Sequence, residues 1–464
     1  MLRSLRRARW SSVAFALLAV GVAGAACGGG GGGGSPGSGG DDSGTASDAA
    51  SGGPEAGADT GSLVHDSGSS SGGQDATIVP GGDAASDATF SFDGFARPDG
   101  WSADAASCPD DDNDGWTSCG GDCNDHDSQV NPCAFDTNDP NDPVGHDGID
   151  NDCDGTVDNL IMCEPTAQVG TFDPNPVDYA NASDLCDNPL CPRLVQTKAI
   201  WYGPSPGKAR RITGHMGTQG EFNPKLGKAM SFLSSGTAED STDTPAYAGT
   251  CPGTDFQTTF TNPMPLPAAQ NTNPCGTGVD ESTVSVHDYT ELRMTIKAPV
   301  NAGSYSFDFA FFSEEFPYYV CQGFNDTFLA IQWSQQYPSG YQIAYDANGH
   351  RINVNNGFFQ DCKACTNCVP GYTFTFACPN GLGPLAGTFY DVALGTDSSG
   401  IQCNNNWGSG GTDWLTTTSP INPGETFTLS WIVFDEHDGI LDSSAILDHF
   451  HWHSTTLGSP VTAR

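Results

Sequence analysis

Alternation with a period of two, not helical spacing, orders the apolar residues in the C-terminal part of this chain. In residues 289–299, YTELRMTIKAP, Leu292, Met294 and Ile296 fall on one face and Glu291, Arg293, Thr295 and Lys297 on the other. That is the signature of a half-buried strand. Residues 305–312 set Tyr305, Phe307, Phe309 and Phe311 against Ser306, Asp308 and Ala310. The same reading predicts strands at 327–333, 341–345, 372–377, 426–434 and 445–452, with Pro, Gly and Asn between them. No sustained helical periodicity appears, and residues 179–185 have room for one short turn of helix. Many short strands without intervening helices predict a β-sandwich over residues 164–464.

Upstream the pattern disappears and charge takes over. Residues 108–163 hold fifteen Asp and six Cys but no Lys or Arg. Carboxylates this dense cannot neutralise one another, so the segment either stays disordered and solvated or takes up multivalent cations. Its spacing points to cations. Asp110, Asp112 and Asp114 precede Gly115, and Asp150, Asp152 and Asp154 precede Gly155: two copies of D-x-D-x-D-G. Carboxylates at alternate positions of a tight loop converge on one point, and the glycine permits the turn that brings later ligands round. Oxygen donors of this kind suit calcium first. Neither copy is a full EF-hand, because the twelfth position is Gly121 in one and Ile161 in the other. Closure is expected from Asp122, Asn124, Asp125 and Asp127 around the first loop and from Asp158 in the second.

The runs D-x-D-x-D-G-W, G-D-C-N-D and D-G-I-D-N-D-C-D-G-T-V-D resemble the MopE-type metal-binding repeat of bacterial surface proteins over about fifty residues, 110–158. Residues 133–143, CAFDTNDPNDP, replace the usual proline-rich link between its halves. The resemblance implies a metal site and brings in copper as the alternative to calcium, with His126 and His146 as nitrogen donors. Further on, GKAMSFLSSGTA (227–238), SYSFDFAFFSEEFPYYV and GFND (304–326), and FDEHDGILDSSAILDHF (434–450) resemble the choice-of-anchor L domain over roughly residues 194–452. That resemblance implies an extracellular β-domain attached to the cell by an anchor, without established catalytic activity.

The N-terminus supplies an anchor. Arg3, Arg6, Arg7 and Arg9 precede an apolar run over residues 13–23, too short to span a bilayer comfortably, and small residues lead to Cys27. This is similar to a bacterial lipoprotein signal, with lipid on Cys27 and, from Gly28, sorting to the cell outer membrane; ordinary secretion is the alternative. Several acyl chains anchor stably where one would not. Residues 28–107 are Gly, Ser, Ala and Asp with Arg97 as their only basic residue, the composition of a disordered tether. Its reach is roughly 50 Å. The expected organisation is therefore a signal peptide (1–27), a linker (28–107), an Asp/Cys-rich metal module (108–163) and the β-sandwich (164–464).

Net charge and cysteine content narrow the partners. A formal charge of −39 argues against nucleic acid and anionic membrane faces. Seventeen Cys point to an oxidising compartment, and setting Cys27 aside leaves an even number for disulfides. The C-x-x-C-x-x-C spacing of Cys362, Cys365 and Cys368 is therefore read as disulfide chemistry rather than zinc. No G-x-S-x-G, H-E-x-x-H, P-loop or dinucleotide fingerprint occurs, so no enzyme is expected. The ligand expected for the sandwich is a glycan or a surface protein, met by Phe316, Tyr318, Tyr319 and Phe324. A secreted metal-dependent hydrolase is the rival class.

Three further groups stand out. Glu314 and Glu315 with Asp326 form one acidic set, and Asp435, Glu436, Asp438 and Asp442 a second; either set is a candidate cation loop. Glu314 and Glu315, adjacent in a strand, would point to opposite faces. His449, His451 and His453 would share one face of a strand, either as a polar outer surface or as a zinc or copper site.

Overall fold

The computed structural model describes residues 108–187, 191, 193–239, 256, 258–260, 275, 286–391 and 409–464. The signal peptide, Cys27 and the linker lie outside the described residues. Among those described, no helix is long and apolar enough to cross a membrane.

The alternating stretches become the long central strands of two antiparallel sheets, and the fold is a β-sandwich. The first sheet runs β1 (Leu194–Tyr202), β5 (Val286–Lys297), β14 (Thr426–Glu436), β7 (Thr327–Trp333) and β8 (Tyr341–Gln342), with β4 (Thr259–Phe260) on β5 and β9 (Ile352–Asn353) on β7. The second runs β16 (Val461–Ala463), β13 (Leu415–Pro420), β6 (Ser304–Ser313), β15 (Ser443–His453), β3 (Met230–Ser234) and β2 (Arg210–Thr213), with β12 (Gly410–Gly411) on β6. A small ribbon, β10 (Cys365–Thr366) with β11 (Thr375–Phe376), stands apart from both.

The predicted faces meet in the middle. Leu292, Met294 and Ile296 of β5 and Leu429, Trp431 and Val433 of β14 pack in one core with Tyr305, Phe307, Phe309 and Phe311 of β6 and Ala445 and Leu447 of β15. Each outer face is also covered. Phe312, Ala310, Phe232 and Ile446 pack under Met216, Phe222, Leu385 and Tyr390 on one side. On the other side Leu329, Ile331, Ile432 and Phe434 pack with Val286 and Tyr289. Every residue of β6 is therefore buried, including Ser306 and Asp308, which alternation alone would place in water. Asp308 is held there by Lys225 Nζ at 2.8 Å, by the Thr416 hydroxyl and by His449 Nδ1 at 3.0 Å.

Several predicted elements shift for identifiable reasons. The helix occupies Pro176–Ala182, starting three residues earlier than expected, because Asn175 caps it by accepting from Val177 N and Pro176 fits its first turn. The strand predicted at 341–345 pairs only over Tyr341–Gln342, and Tyr345 instead bridges Arg351. The strand predicted at 372–377 shortens to Thr375–Phe376 in the separate ribbon. There Cys365 bonds Cys368 and Cys362 bonds Cys378, as disulfide chemistry requires.

Consecutive long strands alternate between sheets: β5, β7 and β14 belong to the first, β6, β13 and β15 to the second. Register then sorts the connections to two ends. Lys297 pairs with Thr426 and Ser304 with His453 at one end. Thr327 pairs with Phe434 and Ser313 with Ser443 at the other.

The Asp-rich segment docks on the first of these ends, and segment and sheets belong to one compact unit. Cys133–Cys191 and Cys163–Cys186 fasten it covalently. Phe135 N donates to Asn301 Oδ1 and Asn301 Nδ2 donates back to Phe135 O, both at 2.9 Å. Buried Arg193 donates to the carbonyls of Cys133 and Ala134. The central core predicts its own test: Phe309→Ala should cost about 3–5 kcal/mol in urea unfolding, the range for emptying a buried aromatic site.

Candidate metal centre

The two D-x-D-x-D-G loops fold alike, except that Asp110 Oδ1 accepts from the fourth residue, Asn113 N, and Asp150 Oδ1 from the fifth, Asp154 N. Their fourth positions, Asn113 and Cys153, both take positive φ, at 64° and 55°, and their glycines, Gly115 and Gly155, take 95° and 93°. Gly115 N donates to Asp110 Oδ2 at 3.1 Å and Gly155 N to Asp150 Oδ2 at 2.9 Å. Asp114 N donates to Asp112 Oδ1, and Asp154 N to Asp152 Oδ1. The third carboxylates accept from Trp116 N and Thr156 N through one oxygen. Their other oxygens accept from Asn131 Nδ2 and Asn159 Nδ2. Backbone amides thus aim each carboxylate, and a side chain at either glycine would have to adopt the left-handed region.

Each loop presents converging oxygens. One carboxylate oxygen from each of Asp110, Asp112 and Asp114 lies within 4.8 Å of the others. The second group, to the same limit, is Asp136, Asp150 and Asp152. In the first loop Asp112 Oδ2 is buried without a hydrogen-bond partner, as is Oδ2 of Asp122, which approaches Asp112 and Asp114 from outside. In the second loop Asp152 Oδ2 and Asp136 Oδ2 are in the same state. A carboxylate oxygen buried without a donor is costly unless a cation or proton meets it.

Burial raises these acids above the usual carboxylate range. Asp136 is pushed up to about 7, first by burial and then by the charges of Asp152, Asp150 and Asp158. Burial likewise takes Asp152 to about 6, with Asp154 adding to it. Asp114 and Asp122 are also raised, burial leading in both. Oxygen-only donor sets of this kind fit calcium better than copper.

The remaining expected ligands are placed less centrally. Asp125 Oδ1 accepts from Asp111 N at 3.3 Å, and Asp127 accepts from Gln129 N. Asp154 borders Asp152 but lies outside the three-carboxylate group. Asp158 accepts from Gly148 N at 3.0 Å, with His146 Nδ1 at 3.9 Å from its other oxygen. Asp136 was not read from the sequence. Its signal is the apolar pair Ala134–Phe135 before it, which is buried against the sandwich and carries the acid inward.

The disulfide Cys123–Cys153 ties the two loops together, and Cys108–Cys119 staples the first. Beneath them lie the three histidines. They share a face of β15, with successive ring centroids 5.7 and 4.8 Å apart. The Asp-rich segment covers this face at His451, while the His449 side chain remains 38% exposed. His451 Nε2 meets the Thr137 hydroxyl at 3.0 Å, His453 Nε2 meets the Ser306 hydroxyl at 2.8 Å, and His449 meets Asp308. The backbone of His449 takes φ 53° where β15 slips register against β6.

Comparison with protein-family models, with curated proteins and with solved structures finds no match to this chain.

The buried histidine gives a pH dependence with a definite sign. Burial, then the neighbouring His453 and His449, lower His451 to about 4, while Asp139 and Asp142 oppose the shift. The unfolded value is about 6.5, so the unfolded chain binds the proton more readily. Stability from neutral His451 is full above pH ~6.5 and drains as pH falls toward about 4. Relative to His451→Gln, the wild type should therefore lose roughly 3 kcal/mol between pH 7 and pH 4, read by urea unfolding in saturating calcium.

Proposed function

We propose that this chain is a calcium-binding β-sandwich displayed at the cell outer membrane through lipid on Cys27, acting in adhesion or ligand binding rather than catalysis. One observation carries the reading. Two similar loops each hold a buried, donorless carboxylate oxygen, on Asp112 and Asp152, and an acid from outside each loop, Asp122 or Asp136, holds another. Two calcium ions would meet these oxygens and cancel charge that the segment, lacking Lys and Arg, cannot cancel itself.

Calcium in the second loop would also act on the sandwich. Asp136 sits in the stretch that hydrogen-bonds Arg193, Asn301 and His451 through Cys133, Ala134, Phe135 and Thr137. An ion on Asp136 therefore fixes the docking strip as well as the loop. The ligand-facing surface we assign to the opposite end. There Tyr318, Tyr319, Phe324 and His437 form a chain of ring contacts with centroids 5.0 to 6.0 Å apart, partly exposed. Phe316 is not among them: it stacks on Phe359 at 4.0 Å inside the core. A glycan ring or a flat protein surface suits such a row.

Calorimetric titration of chelator-stripped protein should show at least two sites of ~10⁻⁴–10⁻³ M, the range of extracellular modules without a tightening bidentate Glu. Asp112→Asn with Asp152→Asn should remove both and raise hydrogen exchange across residues 108–163. Unchanged binding in that double variant would remove the calcium reading.

The anchor has a separate test. Cys27→Ser should end lipid attachment and move the protein from the detergent to the aqueous phase on partition. The same phase for both proteins would rule the anchor out.

A further inference from the structure

Among the described residues, the two loop groups alone bring three carboxylates together. The acids at the far end of the sandwich do not converge so closely. There the chain leaves strand geometry after Ser313, and Glu314 and Glu315 are both turned inward rather than to opposite faces. The two loops, in contrast, are joined to each other through buried amide groups. Asn131, fully buried, donates through Nδ2 to Asp114 Oδ2 of the first loop at 2.6 Å. Its backbone N donates to Asn151 O, inside the second loop, at 2.9 Å. Asn151 N in turn donates to Asp136 Oδ1 at 3.0 Å. A relay of hydrogen bonds thus runs from a carboxylate of the first group to a carboxylate of the second.

We propose that the two loops bind calcium cooperatively, each ion strengthening the other, with Asn131 as the positioning residue that joins them. The proposal rests on the calcium binding assigned to the loops above. The element that both ions bias is the strip from Val130 to Thr137, buried at every position. Its start carries Asn131, which aims Asp114, and its end carries Asp136, which completes the second group. Between them, Cys133, Ala134 and Phe135 are held by Arg193 and Asn301. Asn131 Oδ1 accepts from Cys133 N at 2.8 Å, so its amide cannot turn without disturbing the strip. An ion in either loop stabilises the seated strip, and the other loop then finds the strip already in place.

The sign of the effect separates this relay from plain electrostatics. Two calcium ions repel, and each removes negative charge that would attract the next. Coulomb forces alone therefore make the second ion bind more weakly. The disulfide Cys123–Cys153 holds the loops side by side with or without ions, and a link that binding leaves unchanged favours neither state. The second loop has an Asn that makes the equivalent bond: Asn159 Nδ2 donates to Asp154 Oδ2 at 2.9 Å. Asn159 is only partly buried and its Oδ1 has no hydrogen-bond partner, so its side chain engages its own loop. It serves as an internal control for Asn131.

Calorimetric calcium titration of the chelator-treated full chain tests the coupling. Asp112→Asn disables the first loop and Asp152→Asn the second. Each remaining loop should bind about 5-fold or more weakly than the same loop in the wild type, the lower end of typical couplings between sites. In the Asn131→Ala background, disabling one loop should leave the affinity of the other unchanged, whereas Asn159→Ala should keep the coupling. Calcium added to Asp152→Asn should also slow hydrogen exchange at Asn151 N, across the relay from the loaded loop, and Asn131→Ala should abolish that slowing. A wild-type titration equal to the sum of the two single-loop titrations overturns the proposal and leaves the calcium reading standing, even if Asn131→Ala fails to fold. Undiminished coupling in Asn131→Ala overturns it as well. A wild type that takes up no calcium removes the calcium reading, and this proposal with it.

Discussion

Charge compensation is the constraint on which this structure rests. The chain carries 56 acidic residues against 17 Lys and Arg, and it folds many of its acids inward rather than leaving them in water. Where a basic partner exists, it is used closely: Lys225 on Asp308, Arg293 on Glu291 at 2.6 Å, Arg351 on Glu436. Elsewhere among the described residues carboxylates are grouped, first in the two Asp loops and again where β6 and β14 hand over to the next strands. Grouping like charges costs energy in proportion to burial, and the cost is tolerable only with a cation or proton at the centre. The fold thus leaves the same question at both its ends.

Disulfides address a different part of the cost. Cys108–Cys119 and Cys123–Cys153 restrict the unfolded ensemble of a segment with little to bury, and Cys133–Cys191 and Cys163–Cys186 hold that segment to the sandwich. They do not relieve repulsion among the Asp side chains they bring together. Covalent closure therefore limits chain entropy and leaves the charge to be compensated by other means.

Much of the sandwich was legible because β5, β6 and β14 alternate cleanly, and their predicted faces form the shared core. Legibility failed where a covered strand shows no alternation or where the strand is short. Met230–Ser234, MSFLS, is buried at every position and shows no alternation. Leu415–Pro420, LTTTSP, presents Thr417 inward to the Thr462 hydroxyl and reads as a polar loop. In the candidate centre, the D-x-D-x-D-G spacing marked the converging carboxylates Asp110, Asp112 and Asp114, and Asp150 and Asp152, because they are local. Asp136 comes from a distant turn and takes its place through the docking of Phe135, a tertiary event that spacing does not encode. The histidines of β15 were placed on one face correctly. What covers them depends on a segment more than 300 residues earlier, visible in the 314-residue gap between Thr137 and His451.

The docking geometry also decides how the molecule would bear tension. The Asp-rich segment grips the end where Ser304 and His453 lie, and the aromatic row stands at the end where Ser313 and Ser443 lie. A pull between these ends runs lengthwise along β6, β14 and β15, across ladders whose hydrogen bonds lie perpendicular to the strands. Such ladders must slide as a whole instead of opening one bond at a time. The two disulfides at Cys133 and Cys163 keep the gripping segment from paying out length before the sheets take the strain. Loaded this way, the sandwich would be pulled in shear along its strands rather than peeled bond by bond.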